Sequence, residues 1–359
     1  MTGHPTPNMP WWAWFWPAAS CAILLAALLL GLGTALAIPA AVALIATVFA
    51  AVFHAELVAH RVGEPFGTLV LAVAVTVIEV ALIVSVMLSG GGGKAALARD
   101  TVFAAVILVC NGVVGACLVM GGVRHGRQGF QVQGASAALA VLAALTVLTL
   151  VLPNYTTSSP GPVYTPAQLG FVGVVSLLLY GAFVFEQTVR SPGDFLPDEA
   201  EDHGPPPSKR LTIASAGLLV VSLVAVVGLA KALSPAMEAG IAWAGAPKAV
   251  IGVVIAALVL LPEAVAAVRA ASHNRLQTSL NLALGSALAS IGLTIPVVAM
   301  VSIGLGIPLT LGLEPKETVL LALTVLAGVV TLGTGRTTVL QGIVHLVILA
   351  AFLFLSVVP

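Results

Sequence analysis

Apolar blocks of about 20 residues, the length at which an α-helix crosses a bilayer, recur along this whole chain. That repetition constrains the fold more than any other feature. In lipid every backbone polar group must be satisfied within its own segment, so each block is expected to be a membrane helix. Eleven blocks of about 21 residues would use about 230 of the 359 positions. Only short loops remain, with no room for a sizeable extramembrane domain. Composition agrees: 8% of residues are charged, against about 25% in soluble domains. The expected architecture is all-α, a polytopic membrane protein of about 11 transmembrane helices.

The helices are expected at 11–32, 37–60, 66–88, 101–123, 134–152, 166–189, 211–231, 247–270, 276–303, 316–333 and 338–357. Trp11, Trp12, Trp14 and Trp16 crowd the start of the first, as interfacial anchors do. No Lys or Arg occurs in the first 20 residues, so no cleavable signal peptide is expected. Fourteen basic residues balance fourteen acidic ones, which points to no nucleic-acid partner. Cys21, Cys110 and Cys117 all lie in apolar blocks. Cys110 and Cys117 are about 10.5 Å apart along one helix, too far for a disulfide.

Loop charges set the orientation. With a cytoplasmic N-terminus, Arg61, Arg124, Arg127, Arg190, Lys209, Arg210, Arg269, Arg275 and Arg336 lie inside. Lys94, Arg99, Lys231, Lys248 and Lys316 then lie outside. This excess favours a cytoplasmic N-terminus and an external C-terminus.

Residues 191–210, SPGDFLPDEAEDHGPPPSKR, differ from the rest. Asp194, Asp198, Glu199, Glu201 and Asp202 crowd there, and five prolines prevent a long helix. A solvated cytoplasmic linker is the plain reading. A regulatory, cation-collecting segment carried by Asp198, Glu199, Glu201 and Asp202 is the sharper one. The chain then divides into residues 1–36 with the first helix, a five-helix repeat at 37–190, the linker at 191–210, and a second five-helix repeat at 211–359. An odd number of helices sends each half into the bilayer from the opposite side. That is the arithmetic of an inverted repeat, with binding sites expected at the midplane.

Each half carries one carboxylate deep in its second helix: Glu79 in TVIEVALIVSVML and Glu263 in VLLPEAVAAVRAA. An ionisable group there costs about 2.5–3.5 kcal/mol on insertion scales and marks function by default. Thr68, Ala72 and Thr76 share a face with Glu79; Gly252, Ala256, Ala267 and Ala270 share one with Glu263. Small faces turn toward other helices rather than lipid. Pro262 deprives the Leu258 carbonyl of its helical partner, and a freed carbonyl can ligate a cation. Asn281 and Ser286 on the ninth helix are further candidate donors. An all-oxygen set suits a hard cation such as Ca²⁺, and the sequence shows no Cys/His cluster for zinc or copper. The competing reading is a protonated glutamate bonded to a neighbouring helix. Asn111 and Asp100 give weaker signals, Glu186 reads as an interfacial group, and His54, His60, His125, His273 and His345 read as interfacial or packed.

The segments HAELVAHRVGEPFGTLVLAVAVTVIEVALI and LPEAVAAVRAASHNRLQTSLNLALGSALASIGLTIPVV resemble the two alpha-repeats of bacterial calcium/proton antiporters of the ChaA type, in the calcium/cation antiporter superfamily. TGRTTVLQGIVHLVILAAF resembles the family's last helix. The resemblance implies eleven helices, two inverted five-helix halves, a bacterial inner-membrane location and exchange of cytoplasmic Ca²⁺ for external H⁺, with Na⁺ and K⁺ as further cargo. It places the paired repeat glutamates at Glu79 and Glu263 and the acidic segment at 194–202. Where the superfamily often has Gly-Asn before each glutamate, this chain has Val75-Thr76 and Val259-Leu260. The alternative function is a cation channel without proton coupling. An enzyme finds no support, since neither HExxH nor GxSxG occurs.

Overall fold

A computed structural model describes residues 9–31, 34–63, 66–88, 95–195, 206–243, 245, 247 and 249–358. It is all-helical, as expected. The membrane helices are α1 (Trp11–Leu30), α2 (Thr34–Val62), α3 (Phe66–Leu88), α4 (Leu97–His125), α5 (Val132–Tyr155), α6 (Pro166–Arg190), α7 (Lys209–Trp243), α8 (Ala249–Ser272), α9 (Leu276–Leu305), α10 (Pro315–Leu332) and α11 (Val339–Val357). Ten are long and apolar enough to cross a membrane over their described residues, and α3 contributes a shorter apolar stretch, Val70–Ser85.

Local sequence explains several starts. Thr165 and Gln168 form a reciprocal cap around Pro166 at the head of α6. Glu314 with Glu317 caps α10, and Thr338 with Gln341 caps α11. Each pair satisfies backbone N–H groups that have no intrahelical partner. Helix α7 runs twelve residues past the expected end at 231. The expectation stopped at Lys231, but that side chain is exposed and does not break the helix. Pro235 lies within the helix as well.

The chain forms two compact units, 1–89 with 201–244 and 90–200 with 245–359. In the first, α2 packs against α1, α3 and α7. Polar pins hold α1 to α2: Ser20 Oγ lies 2.6 Å from Thr47 Oγ1, and His54 Nε2 lies 2.9 Å from the Ala13 carbonyl oxygen. The Arg61 guanidinium donates to the Pro207 carbonyl at 3.0 Å.

In the second unit, α9 packs against α5, α6 and α8, and α4 packs against α8 and α11. Close backbone approach sets the α4–α11 crossing: a Cβ on Gly342 would stand 2.8 Å from the Gly115 carbonyl oxygen. A short antiparallel pair, β1 (Gln128–Gly129) with β2 (Arg336–Thr337), ties the end of α4 to the turn before α11, with Gln128 opposite Thr337. Helix α4 contains a π-helical turn at Leu108–Val113, and α5 and α6 contain others at Val147–Val151 and Glu186–Arg190. Such turns insert a residue and shift the face that follows.

Candidate functional site

Glu79 belongs to the first unit, on α3, and is 3% exposed. On the same helix Ala74, Val75, Thr76, Ile78, Leu82 and Ile83 are buried as well. Thr76 is buried on the same face, one turn before it. Ala72 is half-buried, and the Thr68 side chain lies outside the described residues.

Glu263 belongs to the second unit, on α8, and is 8% exposed. The buried positions Gly252, Ala256, Val259, Glu263 and Ala267 recur every three or four residues and make one face of α8. Small residues along that face let α8 lie directly on α4. Pro262 is buried within the helix, so the Leu258 carbonyl has no N–H four residues ahead. Leu258 is half-buried.

The remaining candidate donors lie on α9. Asn281 is engaged with the start of the linker: its amide donates to the Phe195 carbonyl, and its Oδ1 accepts from Gln277 Nε2 at 3.1 Å. Gln277 Nε2 also reaches the Phe195 carbonyl, at 3.4 Å, while its Oε1 accepts from the Gln131 N–H at 2.8 Å. The Phe195 ring is buried edge-on against Phe183, with centroids 5.7 Å apart. Thus the Asn281 amide anchors the linker to the transmembrane helices. Ser286, five residues further along α9, is half-buried. Asp198, Glu199, Glu201 and Asp202 fall outside the described residues.

Glu186 ends in a different setting. Its Oε1 accepts from Ser191 Oγ at 2.6 Å, and its Oε2 lies 3.7 Å from Arg190 Nε, with both side chains substantially exposed. That is the environment of a helix end.

One polar cluster escaped the sequence reading. Asn111, on the π-turn of α4, and His345, on α11, are 0% and 1% exposed, and they meet with 3.1 Å between His345 Nδ1 and Asn111 Oδ1. Thr324 and Thr331 of α10 complete it. Its members are up to 234 positions apart, so no local spacing reveals it.

The sodium/calcium exchanger protein family matches residues 21–189 and 214–358. The y4hA protein of Sinorhizobium fredii (strain NBRC 101917 / NGR234), named as an ionic transporter, is 51% identical over 98% of this chain and 97% of its own length. The sodium-potassium/proton antiporter ChaA of Escherichia coli (strain K12) is 32% identical over 88% of this chain and 86% of its own. Among solved structures, native YfkE superposes with a TM-score of 0.74 at 18% identity, covering 97% of this chain and 100% of that one. A selenium-substituted crystal of the same protein, described as a Ca²⁺/H⁺ antiporter, gives 0.72. At these identities the structural likeness establishes the fold.

Proposed function

We propose, from the premise that this chain belongs to the sodium/calcium exchanger protein family and is therefore an integral membrane cation exchanger, that it exports cytoplasmic Ca²⁺ in exchange for H⁺. The observation that carries the reading is the burial of one glutamate on a membrane helix of each compact unit, at 3% and 8% exposure. A carboxylate in a low-dielectric setting is tolerated either as the neutral acid or beside a cation. Glu79 and Glu263 would therefore hold protons or the cation, but not both together. That competition couples the two fluxes. A loaded site is neutralised and can switch between inward and outward access, whereas two bare carboxylates cross poorly, which limits leak. Moving one net charge through the membrane potential contributes about 2.3 kcal/mol per 100 mV. More than two H⁺ per Ca²⁺ would thus bring in voltage as a driving force.

The Leu258 carbonyl and the Ser286 hydroxyl are the neutral oxygens that support the glutamates in this reading. Asn281 joins them only by releasing Phe195. The acidic residues Asp198, Glu199, Glu201 and Asp202 would tune the exchange from the cytoplasmic side. Ca²⁺ is favoured because two carboxylates with neutral oxygens form a hard, oxygen-only set. The sodium-potassium/proton activity named for ChaA makes Na⁺ and K⁺ the cargo to test beside it.

The test is proton movement in inverted membrane vesicles as Ca²⁺, Na⁺ and K⁺ are added in turn. Alkalinisation of an acidified lumen by Ca²⁺ supports the proposal. Cation flux indifferent to the pH gradient would support a channel instead.

A further inference from the structure

We infer that His345 is a proton-binding residue of this protein, with Nε2 as the position that takes the proton and Asn111 and Thr331 as the groups built to hold both of its states. The inference extends the proposed proton coupling to a group outside the glutamate pair, and its evidence is the hydrogen-bond bookkeeping of one buried cluster.

Each hydroxyl has one hydrogen to give. Thr324 Oγ1 gives its own to the Leu320 carbonyl at 2.8 Å, one turn back on α10. It must therefore accept from Asn111 Nδ2, which lies 2.9 Å away. That orients the amide and leaves Asn111 Oδ1, an acceptor only, facing His345 Nδ1 at 3.1 Å. The hydrogen between them must sit on Nδ1. The tautomer is thereby fixed, and the only open proton position on the imidazole is Nε2.

Nε2 faces Thr331 Oγ1 at 3.1 Å. When the ring is neutral, the Thr331 hydroxyl donates to it. When Nε2 carries a proton, the same oxygen accepts from it. One hydroxyl rotation keeps the bond between Nε2 and Thr331 in both states. A histidine buried only to fill space needs no such reversible partner.

The ionisable groups at the ends of the surrounding helices stand off from the ring. Asp100, paired with Arg99, precedes Asn111 by about 16 Å of helix, and Arg124 with His125 follows by about 20 Å. Lys316 and Glu317 precede Thr331 by about 21 Å or more, and Arg336 is exposed on β2. Glu263 and Arg269 are the charged residues of α8, while α9 has none. Cys110 and Cys117 are the buried thiols on the neighbouring face of α4. A proton on Nε2 would place a positive charge at the π-turn of α4, the helix that packs on the Glu263 helix.

Two measurements test this. The first is ¹⁵N-histidine NMR of the folded wild-type protein in lipid nanodiscs, with His345 assigned by its loss in His345→Gln or, should that variant not fold, by the shift it alone undergoes in Thr331→Val. We expect hydrogen on Nδ1 at high pH and conversion to imidazolium as the pH is lowered with the protein still folded. Hydrogen on Nε2 at high pH, or a ring still neutral at the acid end with the protein folded, would overturn the inference. The second is the pH profile of exchange. His345→Gln and Thr331→Val should displace its midpoint by about half a pH unit or more while exchange persists; profiles superimposable on wild type would overturn it. The outcomes are separable from the glutamate proposal. A titrating His345 in a protein whose Glu79→Gln and Glu263→Gln variants still exchange would sink that proposal and leave this one standing.

Discussion

Gly252 meets the backbone of Asp100 with no space for a side chain: a Cβ on Gly252 would stand 2.8 Å from the Asp100 carbonyl carbon. The contact seats the Glu263 helix on α4, eleven residues before the glutamate. Substituting Val at Gly252 should force the helices apart. Overpacking of this kind costs about 1–3 kcal/mol, so thermal unfolding should occur at lower temperature and exchange should weaken. Gly217 on α7, which has open space at its Cβ position, should accept the same substitution. Equal melting of the two variants would contradict the account of this crossing.

The orientation rests on loop charges. The 191–210 linker is expected in the cytoplasm and the C-terminus outside. Reporters fused after Pro359 should be active only if they work on the external face. Activity of a cytoplasm-specific reporter there would reverse the topology.

The acidic linker is expected to modulate exchange. Replacing Asp198, Glu199, Glu201 and Asp202 together by Asn or Gln should change apparent affinity or activation and leave coupled exchange measurable. Complete loss of exchange in a well-inserted variant would show that these carboxylates are part of transport itself.

Asn281 separates an anchor from a ligand. Removing its amide leaves the Phe195 carbonyl with the longer Gln277 bond alone, and an under-satisfied buried carbonyl costs about 1–3 kcal/mol. Asn281→Ala should therefore lower thermal stability. Its effect should fail to add to that of Phe195→Ala, because the ring packed on Phe183 seats the same backbone carbonyl that the amide holds. Full additivity, with a selective loss of cation affinity in Asn281→Ala, would return Asn281 to the ligand set.

Much of this architecture was legible in the sequence because lipid imposes a simple rule. A segment of helix-spanning length must satisfy its own backbone, so length and hydropathy alone locate the spans; α3 begins at 66 and ends at 88, as expected. The end of α7 was not legible, because a charge such as Lys231 can remain exposed on a continuous helix. The burial of Glu79 and Glu263 was readable from the small residues on their faces. The occupation of Asn281 by Phe195 was not, since it depends on how the linker folds back. The Asn111–His345 pair was hidden twice, by its long sequence separation and by a π-turn that leaves no mark on hydrophobic periodicity.

The most direct test of the central claim is cation-driven proton movement in vesicles containing Glu79→Gln or Glu263→Gln. Glutamine keeps the shape and removes both the charge and the titratable proton. A buried cation then loses a charged ligand that neutral oxygens cannot replace in a low-dielectric site. Each variant should insert normally and lose Ca²⁺-driven proton movement, without rescue by higher Ca²⁺. Aspartate at either position should retain more function than glutamine. Glu186→Gln, at an exposed helix end, should exchange nearly as wild type. Normal pH-coupled Ca²⁺ transport by Glu79→Gln or Glu263→Gln would contradict the account and leave the glutamates as packed, protonated residues.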